Sequence, residues 1–271
     1  MALIQGTNGN DSNISNPSSN DTVYLGAGND IYRLGNGNDT VSGGDGDDRI
    51  ASIGGLGGQG VDASASFANA SSSSQTVFGE AGNDYITSSG LGASKLYGGD
   101  GVDTMTGSSS DDTILGGNGS DNFSGNGGND RLYGEEGDDR IDGSLGDDVL
   151  VGGNGDDTMT GSSAPRFGGV DNDTDTLYGG DGRDTFVLGE EFDGVYYSIN
   201  GSNDIAYIED FQSGEDTIEL LQTPDYYFLQ ASGSDTIIYY DTDNDGLSYD
   251  EIAVVRDNNS LDLNSADLTF I

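Results

Sequence analysis

Residues 98–160 read GGDGVDTMT GSSSDDTIL GGNGSDNFS GNGGNDRLY GEEGDDRID GSLGDDVLV GGNGDDTMT, one nonad after another in a single register. Outward from this stretch the period continues through LGAGNDIYR, LGNGNDTVS and GGDGDDRIA (25–51) on one side. On the other it runs through a degenerate GSSAPRFGG, then VDNDTDTLY and GGDGRDTFV (161–187). A fixed period of this kind marks an array in which each unit buries its apolar residues by stacking on its neighbours. The first four positions are rich in Gly, which permits positive φ and close backbone approach in a tight turn that presents carbonyl oxygens. The eighth position is apolar, from Tyr32, Val41 and Ile50 to Leu150, Met159, Leu177 and Phe186, between mostly polar seventh and ninth residues. That alternation predicts a three-residue strand with one buried side chain after each turn. The sixth position holds Asp30, Asp39, Asp48, Asp84, Asp103, Asp112, Asp121, Asp130, Asp139, Asp148, Asp157, Asp175 and Asp184.

The 271 residues include 47 Gly, only 32% hydrophobic residues, and 49 Asp+Glu against 8 Lys+Arg, for a formal charge of -41. Self-repulsion of that size opposes compaction, so positive charge must come from outside the chain. Nucleic acid and anionic membranes are poor partners, because both need Lys and Arg at the contact and Lys95 is the only lysine. No apolar run approaches membrane-spanning length. There is no His and no Cys, which removes Ser-His and Cys-His nucleophile pairs, disulfides, and imidazole or thiolate metal sites. Carboxylates, backbone carbonyls and water remain, the hard oxygen donors that suit calcium.

These units resemble the GGxGxDxUx nonapeptide of the RTX (repeats-in-toxin) family, over roughly two thirds of the chain. The resemblance implies an all-β protein: a parallel β-roll, which is a right-handed β-helix of such nonads with two per turn, closed by a C-terminal antiparallel β cap. The expected division is a roll over 1–187 and a β-rich cap over 188–271. In such a coil, units i and i+2 stack on one side and their aspartates face one another. An acidic run is ordinarily a solvated face. Stacked carboxylates without a cation, however, would repel in every circuit. Counting stacked pairs gives about nine calcium sites: Asp21/Asp39, Asp30/Asp48, Asp84/Asp103, Asp103/Asp121, Asp112/Asp130, Asp121/Asp139, Asp130/Asp148, Asp139/Asp157 and Asp157/Asp175. About nine divalent ions would bring the charge to roughly -23, making metal a major term in folding.

Two segments break the register. Between Ser52 and Phe78 the sequence is rich in Ser, Ala and Gly, yet Leu25 and Gly79 stand a whole number of nonads apart. The expectation is therefore metal-poor turns of the same coil, with an insertion as the alternative. In GSSAPRFGG, Arg166 occupies the Asp position, which by stacking would lie between Asp148 and Asp184 and let a guanidinium stand in for a calcium.

After Val187 the repeat gives way to β-branched and aromatic stretches such as IAYI, TIEL, YYFL and DTIIYY. IEDFQSGEDTIEL (208–220) resembles the stretch that follows the repeats in secreted RTX enzymes, which implies a cap over the open solenoid end. The opening MALIQGTNGNDSN has neither a basic nor an apolar leader region, and DLTFI at the C-terminus resembles the acidic-then-hydrophobic end of type I secretion substrates. Export by the type I secretion machinery to an extracellular or cell-surface location follows from the resemblance. Asp241, Asp243 and Asp245 precede Gly246 like the start of an EF-hand loop, but Glu251 is the eleventh residue rather than the twelfth and the flanks read as strands, so a calcium-binding hairpin is expected.

Repeats and cap account for nearly the whole chain, and there is no G-x-S-x-G elbow, so no enzyme is expected. The leading reading is a calcium-binding secreted protein that folds on extracellular calcium and has a structural or surface role. The alternative is a polysaccharide-binding adhesion module using Tyr24, Tyr97, Tyr133 and Tyr178 at ninth positions; a glycan-active enzyme ranks below both. No single residue repeats along the third position, which argues against ice binding.

Overall fold

Three-residue alternation around a buried eighth position does produce short strands throughout. The computed structural model describes residues 3–15, 20–34, 39–52, 74–88, 92–162, 173–190, 194–195, 204–221, 224–241 and 249–271. The fold is all-β, with one short 3-10 turn, Pro224–Tyr226, among the described residues. No helix among the described residues is long and apolar enough to cross a membrane. The chain forms two compact units, residues 1–131 and 132–271.

In the first unit, one parallel sheet runs Leu3–Gln5, Thr22–Ala27, Thr40–Asp45, Thr76–Ala81, Lys95–Asp100 and Thr113–Asn118. The other runs Ser12–Ser15, Ile31–Leu34, Arg49–Ser52, Tyr85–Thr87, Thr104–Thr106 and Asn122–Gly127. Successive strands alternate between the sheets, so each circuit spends one nonad on either side, the connectivity of a β-roll. Eighth-position residues form the core: Val23, Val41, Val77, Leu96 and Ile114 from one sheet, Tyr32, Ile50, Ile86, Met105 and Phe123 from the other, none more than 1% exposed. The core is thus one side chain wide per strand.

The second unit repeats the scheme with Arg131–Glu136, Val149–Asn154 and Thr174–Asp181 in one sheet and Arg140–Leu145, Thr158–Ser162 and Thr185–Val187 in the other. Contrary to the expected boundary at 187, the parallel ladders continue beyond it. Ile205–Ile208 pairs with Thr174–Asp181 and then with Asp250–Val255, and Thr217–Leu220 pairs with Thr185–Val187 and then with Leu268–Phe270. The physical reason is that IAYI, TIEL and LTF keep the alternation that fills the core after the glycines have gone, with Ala206, Ile208, Ile218 and Leu220 fully buried. The antiparallel part is confined to Tyr227–Ser232 and Asp235–Tyr240, which add to Asp250–Val255 at that sheet's end, and to the small ladder Gly189–Glu190 with Gly194–Val195.

The register corrects two expectations. Val77 pairs with Val41 and Ile86 with Ile50, so the strand at 76–81 lies directly on the strand at 40–45. No metal-poor turns intervene in the ladder between them. Residues 53–73 lie outside the described residues, and their Ser/Ala run lacks the Asp-x-apolar triplet that makes a rung. Likewise Val149 pairs with Thr176 and Met159 with Phe186, so no rung stands between these strands in either ladder, and of GSSAPRFGG only Gly161 and Ser162, the end of Thr158–Ser162, are described. Arg166 lies outside the described residues; Asp148 stacks on Asp175 and Asp157 on Asp184, so Asp148 and Asp184 do not share the column that the expectation assumed.

Candidate metal centre

Each glycine-rich turn is stacked on the turn one circuit away, and the sixth-position aspartate makes the link. Its backbone N–H donates to Oδ1 of the stacked aspartate: Asp21 to Asp39 at 2.8 Å, Asp30 to Asp48 at 2.8 Å, Asp48 to Asp84 at 2.6 Å, Asp84 to Asp103 at 2.7 Å and Asp103 to Asp121 at 2.7 Å. In the second unit Asp139 donates to Asp157 at 2.8 Å, Asp148 to Asp175 at 2.9 Å and Asp157 to Asp184 at 2.9 Å. The expected pair Asp157/Asp175 is therefore wrong. Because one nonad is stepped over, Asp175 belongs with Asp148 and Asp157 with Asp184. Asp48/Asp84 is a further pair, because the strand at 85–87 lies directly on the strand at 49–52.

With Oδ1 occupied, Oδ2 is the informative atom. In Asp30, Asp39, Asp48, Asp84, Asp103, Asp157 and Asp184 it is buried and receives no hydrogen bond. These residues are at most 2% exposed. An anionic oxygen so placed carries the full cost of desolvation unless a cation meets it. A second oxygen converges with it. A β-carbon on Gly43 would meet both Asp48 Oδ2 and the carbonyl of Gly79, and the same holds at Gly79 for Asp84 and Gly98, at Gly98 for Asp103 and Gly116, and at Gly152 for Asp157 and Gly179. The first-position glycine thus leaves open a cradle lined by a carboxylate and a carbonyl from adjacent circuits. A carboxylate oxygen and a backbone carbonyl line each cradle, and no group of three or more acidic side chains placed to hold a metal occurs among the described residues. All-oxygen donors of this kind fit calcium.

The electrostatics agree. Burial, reinforced by neighbouring carboxylates, pushes Asp48 and Asp157 up to about 6 and Asp84, Asp121, Asp130 and Asp184 up to about 7 from an ordinary 3.8. Burial also raises Asp39, Asp103 and Asp112. A bound divalent ion would reverse this preference for the neutral form.

One flank of the first unit departs from the pattern. Gln75 and Ser94 stand where the stacked turns elsewhere hold Asp: Gln75 Oε1 accepts the Asp39 N–H at 3.3 Å, and Ser94 donates its N–H to Asp112 Oδ1. Asp112 donates in turn to Asp130 Oδ1 at 2.6 Å, as expected for that pair. Its own Oδ2, however, already accepts the Ser108 N–H, and Asn126 Nδ2 donates to the Gly107 carbonyl at 2.8 Å. The GSSSDD turn meets by hydrogen bonding what its neighbours leave open. The sequence signal was the Ser-for-Gly exchange at 108–110.

Of the cap residues, Asp241 is buried and donates its N–H to Tyr226 O at 2.8 Å; Asp243 and Asp245 lie outside the described residues. Asp216 was missed. Its Oδ1 accepts the Asp184 N–H at 3.0 Å, so FQSGED (211–216) is a turn of the same kind stripped of its first two glycines. The surviving signal is Asp216-Thr217-Ile218, the same Asp-x-apolar triplet.

The profile of the RTX calcium-binding nonapeptide repeat (four copies) matches residues 18–41, 24–52, 70–90, 97–132, 133–163 and 167–195, more than half of the chain. No curated protein matches significantly. Among solved structures, the chain is similar to the extracellular lipase LipA from Serratia marcescens at 16% identity and a TM-score of 0.20, covering 98% of this chain and 39% of the lipase.

Proposed function

The chain belongs to the RTX calcium-binding nonapeptide repeat family, and from that membership we propose that it is a structural or surface protein exported by type I secretion and folded by extracellular calcium. The observation that carries this reading is the row of buried Oδ2 atoms that receive no hydrogen bond. In a calcium-poor cytosol, a chain of charge -41 with those carboxylates unmet stays disordered, the state a type I channel passes. Outside the cell each ion favours the folded state by RT ln(1 + [L]/Kd), about 2.7 kcal/mol per site at a hundredfold excess over Kd.

A non-enzymatic role is supported by what the carboxylates do. They are held in repeated, equivalent surroundings, whereas catalytic acid and base pairs need environments that separate their pKa values. At ninth positions Tyr24 and Tyr178 are exposed, but one stacked pair favours a structural role over polysaccharide adhesion. Phe78 and Tyr97 stack on adjacent strands at 4.6 Å with 13° between ring planes, so each covers a face that a sugar would need.

The test is a calcium titration of the metal-stripped chain followed by far-UV circular dichroism and hydrodynamic radius, with magnesium as control. A cooperative gain of β structure with compaction in calcium but not magnesium is expected. Compact β structure already present in chelator would overturn the reading.

A further inference from the structure

The hairpin of Tyr227–Ser232 and Asp235–Tyr240 turns on two residues, Gly233 and Ser234, with Gly233 at φ of 69°. A two-residue turn closes on a pair that exchanges both backbone hydrogen bonds, here Ser232 and Asp235, and such pairs then alternate along the hairpin. The Asp241 N–H donating to the Tyr226 carbonyl at 2.8 Å fits that phase. Phe228, Gln230 and Ser232 therefore spend their backbone groups inside the hairpin, while Tyr227, Leu229 and Ala231 turn theirs outward. Tyr227 is buried, which leaves Leu229 and Ala231 on the accessible part of the edge. Among the described residues no strand pairs on that side, and no hydrogen bond reaches those outward groups.

Natural sheets guard an open edge with charge, proline or a bulge. This strand has none of them. It reads YFLQAS, its ladder with Asp235–Tyr240 is continuous from Tyr227 to Ser232, and Gln230, Ala231 and Ser232 are exposed beside Phe228 at 46%. Phe228 lies against Tyr239 and Tyr249, at 6.0 and 5.8 Å between ring centroids, so the side chains beside the edge are apolar as well. The nearest acids, Asp225 and Asp235, stand beyond the strand's ends, and Asp235 is met by Arg256 at 2.9 Å.

In a chain of formal charge -41, two copies repel almost wherever they meet. An uncharged edge is where that repulsion is least, and an antiparallel edge is complementary to itself under a two-fold axis. We propose that Leu229–Ser232 pairs with the same strand of a second copy, joining two chains through one continuous sheet. An axis at Gln230 sets Leu229 against Ala231 of the second copy and the reverse, for about four backbone hydrogen bonds, and covers Phe228 with Ser232 of the second copy. The two Gln230 side chains then face each other, each amide able to donate and to accept. The contact needs only the folded hairpin and does not depend on which oxygens bind calcium. Because salt screens the charge that remains, the dimer should tighten as ionic strength rises.

The experiment is sedimentation velocity of the calcium-loaded full-length chain over a concentration series, wild type against Ala231→Pro, together with oxidation of two single-cysteine variants. The chain has no cysteine of its own, so each variant reports one position. Ala231→Pro removes an outward N–H from each copy and should raise the dissociation constant at least about tenfold, with the calcium transition in circular dichroism kept. Gln230→Cys should cross-link, because residues facing across the axis lie about 4.5 Å apart at Cα, whereas Ser232→Cys should not, its two copies standing about 14 Å apart. A chain that stays monomeric up to about 1 mM overturns the proposal. So does a dimer in which Ser232→Cys cross-links as readily as Gln230→Cys, or growth into longer oligomers, the mark of a head-to-tail contact rather than a two-fold one. The cysteine pair decides the matter should Ala231→Pro fail to fold.

Discussion

Acid should do part of what calcium does. In the metal-free fold, raising a carboxyl from 3.8 to about 7, as at Asp84, Asp121, Asp130 and Asp184, costs about 4 kcal/mol of folding free energy at neutral pH; the rise to about 6 at Asp48 and Asp157 costs about 3 kcal/mol. These groups are at most 2% exposed, so solvent does little to reduce the cost. Costs of this kind are of the order of the 5–15 kcal/mol that holds a typical domain, so the metal-free chain should lose its fold at neutral pH. The sign follows from the folded-state values lying above the unfolded one. Stability is fully present below the unfolded value of about 3.9, declines as pH rises toward about 7, and falls no further above it. Metal-stripped protein, dialysed free of calcium and kept dilute, should therefore be expanded at pH 7.5 and gain β structure and compactness as pH falls toward about 4. Circular dichroism and hydrodynamic radius across that range are the assay. A metal-stripped chain that is compact at pH 7.5, or as expanded at pH 4 as at 7.5, would refute the argument that buried carboxylates are what calcium offsets.

Five substitutions probe the same architecture. Gly101 has φ of 141° and a β-carbon there would run into the Gly82 carbonyl, so Gly101→Ala should cost about 2 kcal/mol or more and raise the calcium midpoint of folding; Gly9→Ala, with nothing within 4 Å, should leave it unchanged. Asp103→Asn should lower the calcium count by dialysis, whereas Asp112→Asn should not, because both Asp112 oxygens already accept backbone N–H groups. The Tyr32 hydroxyl is buried without a partner and its pKa is pushed up to about 12, chiefly by burial, so Tyr32→Phe should stabilise the calcium-loaded chain by about 1 kcal/mol against urea.

The turn, the strand and the facing aspartates were legible because each follows from one position of the nonad. Gly at the turn, Asp at the sixth position and an apolar residue at the eighth have local causes, so Asp30, Ile50 and Leu96 could be placed one by one. Which turn stacks on which is a different kind of fact. It depends on whether a stretch enters the ladder, and a length divisible by nine does not decide that. Val41 and Val77, and likewise Val149 and Thr176, stand a whole number of nonads apart in sequence, yet each pair is adjacent in the ladder. Nor is Gly-Gly required for entry, since Asp216-Thr217-Ile218 enters with none before it. Gln75 and Ser94 were missed for the converse reason: Val77 and Leu96 keep the core in register while the turn before them has lost its acid.

That separation between core and turn bears on how calcium acts. The core gains one side chain per strand at every level, with or without an ion, so apolar burial alone gives no switch. The carboxylates supply it, because Asp48, Asp84 and Asp103 each spend one oxygen on a backbone N–H of the adjacent circuit and leave the other for a cation. An ion bound at one level thus fixes the Asp that the neighbouring level needs, and nearest-neighbour coupling of this kind makes folding cooperative along a repeat array. Where Gln75, Ser94 and the GSSSDD turn replace acid with hydrogen bonds, the coupling on that flank no longer requires metal. The opposite flank, through Asp48, Asp84 and Asp103, still does. A stretch that is half satisfied before any ion arrives is where ordering costs least, so folding should start within 75–121 and spread outward as calcium fills the remaining levels.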